Sequence, residues 1–482
     1  MASLSDCPNE VLLDILRNLV PTTRNKAPAS LHSMCLVSKR FFSLAQHFLY
    51  SKIHLTWEGE YAENPRIPLL LRSLLERRSL SNYVEHLSLD GDDTIPFFAK
   101  GDWVPSISMA AVDMEEVFKF IKSTQMAADD SFLWECSVRQ PFLDGVVAVL
   151  LALLPNLKSL SMGPDFANEM GVTNCVLQAA LSPKRTQNPN QLPRFGQLRS
   201  VTFDNKSIEF CKHGYWECSL HPFFYLPEIE HLSQAIHTCC YWKPCPPSPS
   251  KLTSLELHRL VPIDLVNLLS VTTGLKKFSW TCCCYPADDP ILDDGSLLDD
   301  SFDLIDLDQV SEALSKISGT LEELVLKIDD GTHGSPAIED DSINIDLTGS
   351  LRGLSSLVHL KKLQVPWVYL TDWSSPTPGH LSEHFVPESV ETLVMTMDLA
   401  DQMAWMWDEE SMFDWMVSFL SGQQGCTNLH IVIFESSGVL DNSWTDGEEE
   451  ELSLTAAEAG IIFLMDPDAF EVEQAKAERA RS

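Results

Sequence analysis

Cysteines, histidines and carboxylates are the residues of this chain best suited to chemistry, and their spacing limits what they can do. Cys211, His213, Cys218 and His221 fall close together, with Cys239, Cys240 and Cys245 behind them. Zinc takes four soft ligands, usually in pairs about two to four residues apart. Cys-x-His followed by Cys-x-x-His does not match that arrangement, so these positions read as ordinary loop and core residues. Cys282, Cys283 and Cys284 directly follow the apolar alternation Leu275, Phe278, Trp280. Neighbouring side chains of a strand point to opposite faces, so three in a row suit packing better than one shared site. Residues 288–308 carry nine Asp and no Lys or Arg. A calcium loop needs alternating oxygen ligands, a Gly at its sixth position and a Glu at its twelfth. Asp293-Asp294-Gly295 does not supply them. The segment reads as a solvated loop, with contact to basic residues as the alternative. No metal and no cofactor are expected.

Catalytic signatures are missing as well. The chain has no glycine-rich phosphate loop, no G-x-S-x-G and no H-E-x-x-H. No His and carboxylate share a spacing that marks a general base, so no catalytic residue is assigned. Trp367, Tyr369 and Trp373, and likewise Trp405, Trp407 and Trp415, border Pro-rich or polar stretches. Aromatics there suit binding anchors; the more frequent use of such rings is core. With 34 basic and 69 acidic residues the net charge is −35. Phosphate binding needs a basic footprint, so nucleic acid is excluded as a partner, and anionic membrane surfaces with it. Residues 1–20 lack a basic start and an apolar run with a small-residue cleavage site, and no apolar run reaches membrane-spanning length. Thirteen cysteines without secretory features point to reduced thiols in cytoplasm or nucleus.

The elements that organise the chain begin at its N-terminus. Val11, Leu12, Ile15, Leu16 and Leu19 lie on one stripe of a helix. Pro8 suits the first helical position, and Glu10 faces the positive end of the helix dipole. A polar loop starts at Pro21. Leu31, Met34, Leu36 and Val37 form a second apolar group. Ser38 is placed to cap a third helix bearing Phe41, Phe42, Leu44, Ala45, Phe48 and Leu49. About fifty residues cannot bury this much apolar surface alone, so a neighbour or a partner must cover some of it. The same three helices also suit a cap on the domain that follows.

Pro8, Glu10, Leu12, Ile15, Leu16, Leu36, Val37, Ser38 and Phe41, with Leu49, Tyr50 and Ile53 closing the pattern, resemble an F-box. That module docks on the Skp-family adaptor of cullin–RING ubiquitin ligases. The resemblance implies that the first nine of these residues bind the adaptor. Two features depart from the pattern. Cys7 stands where the family usually has Leu, and the loop through Asn25, Lys26, Ala27 and Pro28 is long. Cys behaves as a small hydrophobe, so docking is expected to be weakened at Cys7 without being abolished.

Behind this segment one pattern, L-x-x-L-x-L, keeps returning. It runs through Val84-Leu87-Leu89, Leu157-Leu160-Met162, Leu198-Val201-Phe203, Leu252-Leu255-Leu257 and Leu275-Phe278-Trp280. It continues through Leu321-Leu324-Leu326, Leu360-Leu363-Val365, Val390-Leu393-Met395 and Leu429-Val432-Phe434. Each ends in the alternation of a half-buried strand. Ile229-Leu232 starts the pattern and then loses it. Apolar helical stretches at 69–75, 146–154, 265–271, 310–317, 351–358 and 413–420 precede six of the strands. Helix, tight turn and strand make one α/β unit, and such units stack with a parallel sheet on one face and helices on the other. Long intervals at 90–130, 184–194, 211–226, 241–250, 285–308, 329–348 and 372–387 read as loops. The end of the chain carries Glu448 to Glu451, a strand-like 461–465 and a charged tail.

The repeated units resemble the irregular leucine-rich repeats found behind F-boxes in many fungal proteins. The expected organisation is α/β: a three-helix F-box at 1–57, a leucine-rich-repeat-like solenoid with acidic and Pro-rich insertions at 58–465, and a tail at 466–482. An ordinary doubly wound α/β domain is the rival for the middle part. What the resemblance implies is a substrate-recognition subunit of a Skp–cullin–F-box type ubiquitin ligase. It would hold the adaptor, and through it a cullin, with one end and an unidentified protein target with the other, and do no bond chemistry itself. An F-box scaffold working outside the ligase, and an intracellular α/β enzyme, are the alternatives.

Overall fold

A computed structural model describes residues 7–19, 29–57, 66–91, 106–167, 170–181, 191–204, 221–236, 242, 246–283, 304–329, 345–371, 386–400, 406–423, 428–435 and 444–465. The chain is α/β and forms two compact units, Met1–Gln234 and Ala235–Ser482.

The first unit opens with three helices, α1 (Asn9–Asn18), α2 (Ala29–Val37) and α3 (Lys39–Ser51). Five strands follow: β1 (Lys52–Trp57), β2 (His86–Gly91), β3 (Ser159–Met162), β4 (Ser200–Phe203) and β5 (His231–Ala235). They pair in parallel, each with the next in the chain. Helices α4 (Arg66–Glu76), α5 (Met114–Ser123), α6 (Ala128–Arg139), α7 (Leu143–Ala152), α8 (Pro164–Ala167) and α9 (Gly171–Leu181) lie between them in sequence. The strand that ends the 1–57 range is thus the first strand of this sheet. Helix α7 is buried all round, as its unbroken apolar run requires. Its Asp144 carboxylate accepts the Val172 and Thr173 amides at 2.6 and 2.9 Å and so caps α9. Although the residue is only half-buried by surface, its carboxyl is enclosed, and desolvation pushes it up to about 6.

The second unit repeats the plan. Its main sheet runs β6 (Ser254–His258), β7 (Lys277–Cys283), β9 (Glu323–Asp329), β11 (Lys362–Pro366), β12 (Thr392–Thr396), β13 (Ile431–Glu435) and β14 (Ile462–Leu464), again all parallel. A short parallel pair, β8 (Leu304–Asp306) with β10 (Asp346–Thr348), stands apart. The helices are α10 (Pro262–Leu269), α11 (Leu307–Ser315), α12 (Trp367–Thr371), α13 (Glu409–Gly422) and α14 (Asp446–Glu458).

Register explains why the sequence pattern is so regular. Leu255, Phe278, Leu324, Leu363, Leu393, Val432 and Phe463 form one row across the second sheet. Ile53, Leu87, Leu160, Val201 and Leu232 form the equivalent row in the first. All three apolar positions of every motif are buried. A parallel sheet with one face against helices leaves no other place for them. The residue before each strand locks the stack. The Lys276 carbonyl accepts the Glu322 and Glu323 amides at 2.8 and 2.9 Å, and the Glu322 carbonyl accepts those of Lys361 and Lys362. The side chains there alternate in sign: Lys276 pairs with Glu322 at 2.7 Å, Lys277 with Glu323 at 2.6 Å, and Lys362 with Glu323 at 3.4 Å.

Three expectations need correction. The broken pattern at Ile229-Leu232 is a strand, β5; Gln234 takes the third apolar place and is fully buried there. The 90–130 interval is not all loop, for α5 lies inside it, amphipathic and capped by Asp113. The stretch 351–358 forms a 3₁₀ turn, Arg352–Ser356, rather than an α-helix. Glu448 to Glu451 lie at the start of α14, where Thr445 and Glu448 make a reciprocal capping box. The 466–482 tail and most of the 285–308 insertion lie outside the described residues; Asp306, at its end, caps α11. Among the described residues no helix is long and apolar enough to cross a membrane.

Candidate functional site: an apolar surface on the first three helices

Helix α1 begins after Pro8, whose carbonyl accepts the Leu12 amide at 3.1 Å. Its apolar stripe points two ways. Leu12 and Leu16 are fully buried, Ile15 is half-buried, and Val11 is 46% exposed. Leu16 packs with Leu31 of α2 and Ala45 of α3, and Leu19, Met34, Cys35, Leu44, Phe48 and Leu49 close around them. Burial there pushes the Cys35 thiol up. This small core holds the three helices together. The ring of His47 meets Phe48 and Tyr83 edge-on at 5.4 and 5.6 Å, tying α3 to the turn before β2.

The junction of α2 and α3 faces solvent. Leu36 is 77% exposed and Val37 64%. Ser38 leaves the helical conformation, and its hydroxyl accepts the Phe41 amide at 3.3 Å, capping α3 as its type and position require. That cap fixes the first turn of α3 so that Phe41 points into the core while Phe42, 40% exposed, points out. Arg40 reaches from the same turn to α1. Its Nη2 donates to the Cys7 carbonyl at 2.6 Å and to Asn9 Oδ1 at 2.8 Å, and its Nε donates to Asn9 Oδ1 at 3.0 Å.

The nine residues singled out from the sequence therefore divide. Leu12, Leu16 and Phe41 are core, Ile15 is intermediate, and Pro8, Glu10, Leu36, Val37 and Ser38 are exposed. Of the two stripe residues that the resemblance assigns to the adaptor, Ile15 is half-buried and Leu16 is inside. Val11, Phe42 and Arg40 belong with the exposed set. Val11 sits one turn before Ile15 on the edge of the same stripe, which is the signal that identifies it. Val11, Leu36, Val37 and Phe42 are exposed apolar side chains of these helices, which also carry exposed Glu10, Lys39 and Arg40. Covering Leu36 and Val37 would release about 1–2 kcal/mol each. Such a surface can bind another protein face.

The remaining candidates fall elsewhere. Cys211, His213, Cys218, Cys239, Cys240, Cys245 and Cys284 lie outside the described residues, as do Trp373 and Trp405. His221 starts the 3₁₀ turn His221–Tyr225, and Cys282 is buried in β7. Trp367, Tyr369 and Trp407 are buried. The ring of Trp367 meets Trp407, Trp415 and Phe434 edge-on at 5.2, 4.7 and 5.7 Å, a core cluster rather than a set of anchors. Among the described residues no group of three or more His, Cys, Asp or Glu is placed to hold a metal ion. No protein-family model matches this chain, and no curated protein matches it.

Proposed function

We propose that the chain is a substrate receptor of a Skp–cullin–F-box type ubiquitin ligase. In this reading α1–α3 are an F-box that docks the Skp-family adaptor, and the strand array is an irregular leucine-rich-repeat-like solenoid that holds a protein target. The observation that carries it is the exposure of Leu36 and Val37 at the α2–α3 junction, inside the segment that resembles an F-box. Parallel strands joined in chain order within each unit support the solenoid reading. The chain then works by proximity. Binding adaptor and target at once raises the effective concentration of the target at the ubiquitin-loaded partner, and the ligase's other subunits make the isopeptide bond.

Co-purification of the full chain tests this. Recovery of the Skp-family adaptor together with a cullin is the expected result. Adaptor without cullin would favour a scaffold outside the ligase. Folded protein that recovers no adaptor would overturn the assignment.

A further inference from the structure

We infer that Arg40 is the positioning residue of this docking surface, joining the start of α1 to the α2–α3 junction so that the two present one continuous face. The inference rests on the docking reading for its purpose, but its geometry stands apart from it. Pro8 gives α1 no side-chain cap, so Pro8 itself leaves the first turn of that helix without a polar anchor. Arg40 supplies one from another helix. Among the described residues its planar fork reaches the Cys7 carbonyl and the Asn9 amide oxygen, which flank Pro8 on both sides. The segment 7–9, around exposed Pro8, is thereby tied to the first turn of α3, which follows exposed Leu36 and Val37 in the chain.

The atom Arg40 uses at Cys7 is the main-chain oxygen, which every residue type provides. This contact therefore does not depend on the Cys7 side chain.

The test uses the full chain with Arg40→Ala, Asn9→Ala, the double variant and Arg40→Lys. Affinity for purified Skp-family adaptor is measured by titration, and amide hydrogen exchange is measured on the free protein. Arg40→Ala should weaken adaptor binding about tenfold, consistent with loss of charge-assisted hydrogen bonds, at unchanged melting temperature. In the free protein, exchange should rise in the first turns of α1 and not in α3. The double variant should bind no worse than Arg40→Ala, because both changes remove one linkage. Arg40→Lys should recover little, since an ammonium lacks the fork. Unchanged exchange at α1 in Arg40→Ala overturns the clamp, and so do fully additive losses in the double variant. If the unmodified chain binds no adaptor, the docking reading fails, and the exchange measurement still decides whether Arg40 orders α1.

Discussion

Leu16 and Leu36 belong to one short motif and end in opposite environments, the first wholly enclosed and the second 77% exposed. In the strand array the situation differs. Leu324 of β9 and its counterparts in the other motifs are buried without exception among the motif positions. The two regions therefore use the same residue types for different ends. A repeat unit has one apolar face and one neighbour on each side, so every motif leucine has a place inside. Three short helices have more apolar surface than they can enclose, and the excess sits at the α2–α3 junction. Contiguous apolar patches left outside mark interaction surfaces, whereas single exposed apolar side chains, such as Phe132 and Met406, are ordinary.

The comparison can be broken most severely in the array. Trp280 is fully buried and donates its indole N–H to the Leu260 carbonyl at 2.8 Å. Trp280→Ala should cost about 3–5 kcal/mol in denaturant unfolding. Leu16→Ala should cost about 2–5 kcal/mol for the same reason, although it lies in the docking motif. A Leu16→Ala variant of unchanged stability would show that the stripe is not core.

A smaller but more selective effect is expected at the surface. Leu36→Ala with Val37→Ala should leave the unfolding midpoint within about 0.5 kcal/mol of the unmodified chain. Adaptor binding should fall together with the lost apolar area. If stability fell as much as binding, the exposed pair would be structural and the contrast between the regions would vanish.

The gentlest test concerns the charged ladder before the strands. Burial raises the carboxyl of Glu323, but hydrogen bonds and charge from Lys277 and Lys362 outweigh it and hold the group below its ordinary 4.5. A depressed carboxylate stabilises the fold fully above its unfolded value and loses that contribution as pH falls through the lower folded one. Glu323→Gln should therefore cost about 0.5 kcal/mol at neutral pH, less in high salt, and flatten the loss of stability below pH 4.5. Asp144 carries the opposite sign. Its carboxyl is pushed up to about 6, so its contribution is present below the ordinary 3.8 and lost as pH rises through about 6. An acid limb unchanged by Glu323→Gln would remove the ladder from the account of stability.

Much of the array was legible because its signal is local and repeated. Nine motifs set nine strands, and the alternation inside each told which side chains are buried. The misses have local causes too. Gln234 in an apolar place hid β5. The acidic residues at the start of α14 hid a helix, because helix N-termini favour such residues and a charge count does not register that. Pro, Asp and Gly around α5 hid another.

The sequence by itself determined the fold class and the order of the strands, since both follow from spacing along the chain. Only the tertiary structure decided which motif residues face outward. A helix stripe is the same whether it meets a core or water, and the choice between Leu16 inside and Leu36 outside depends on which faces α1, α2 and α3 turn to one another. The Arg40 clamp belongs to the same category. It joins residues 31 and 33 positions apart, a separation at which the sequence carries no periodic signal and only packing brings donor to acceptor.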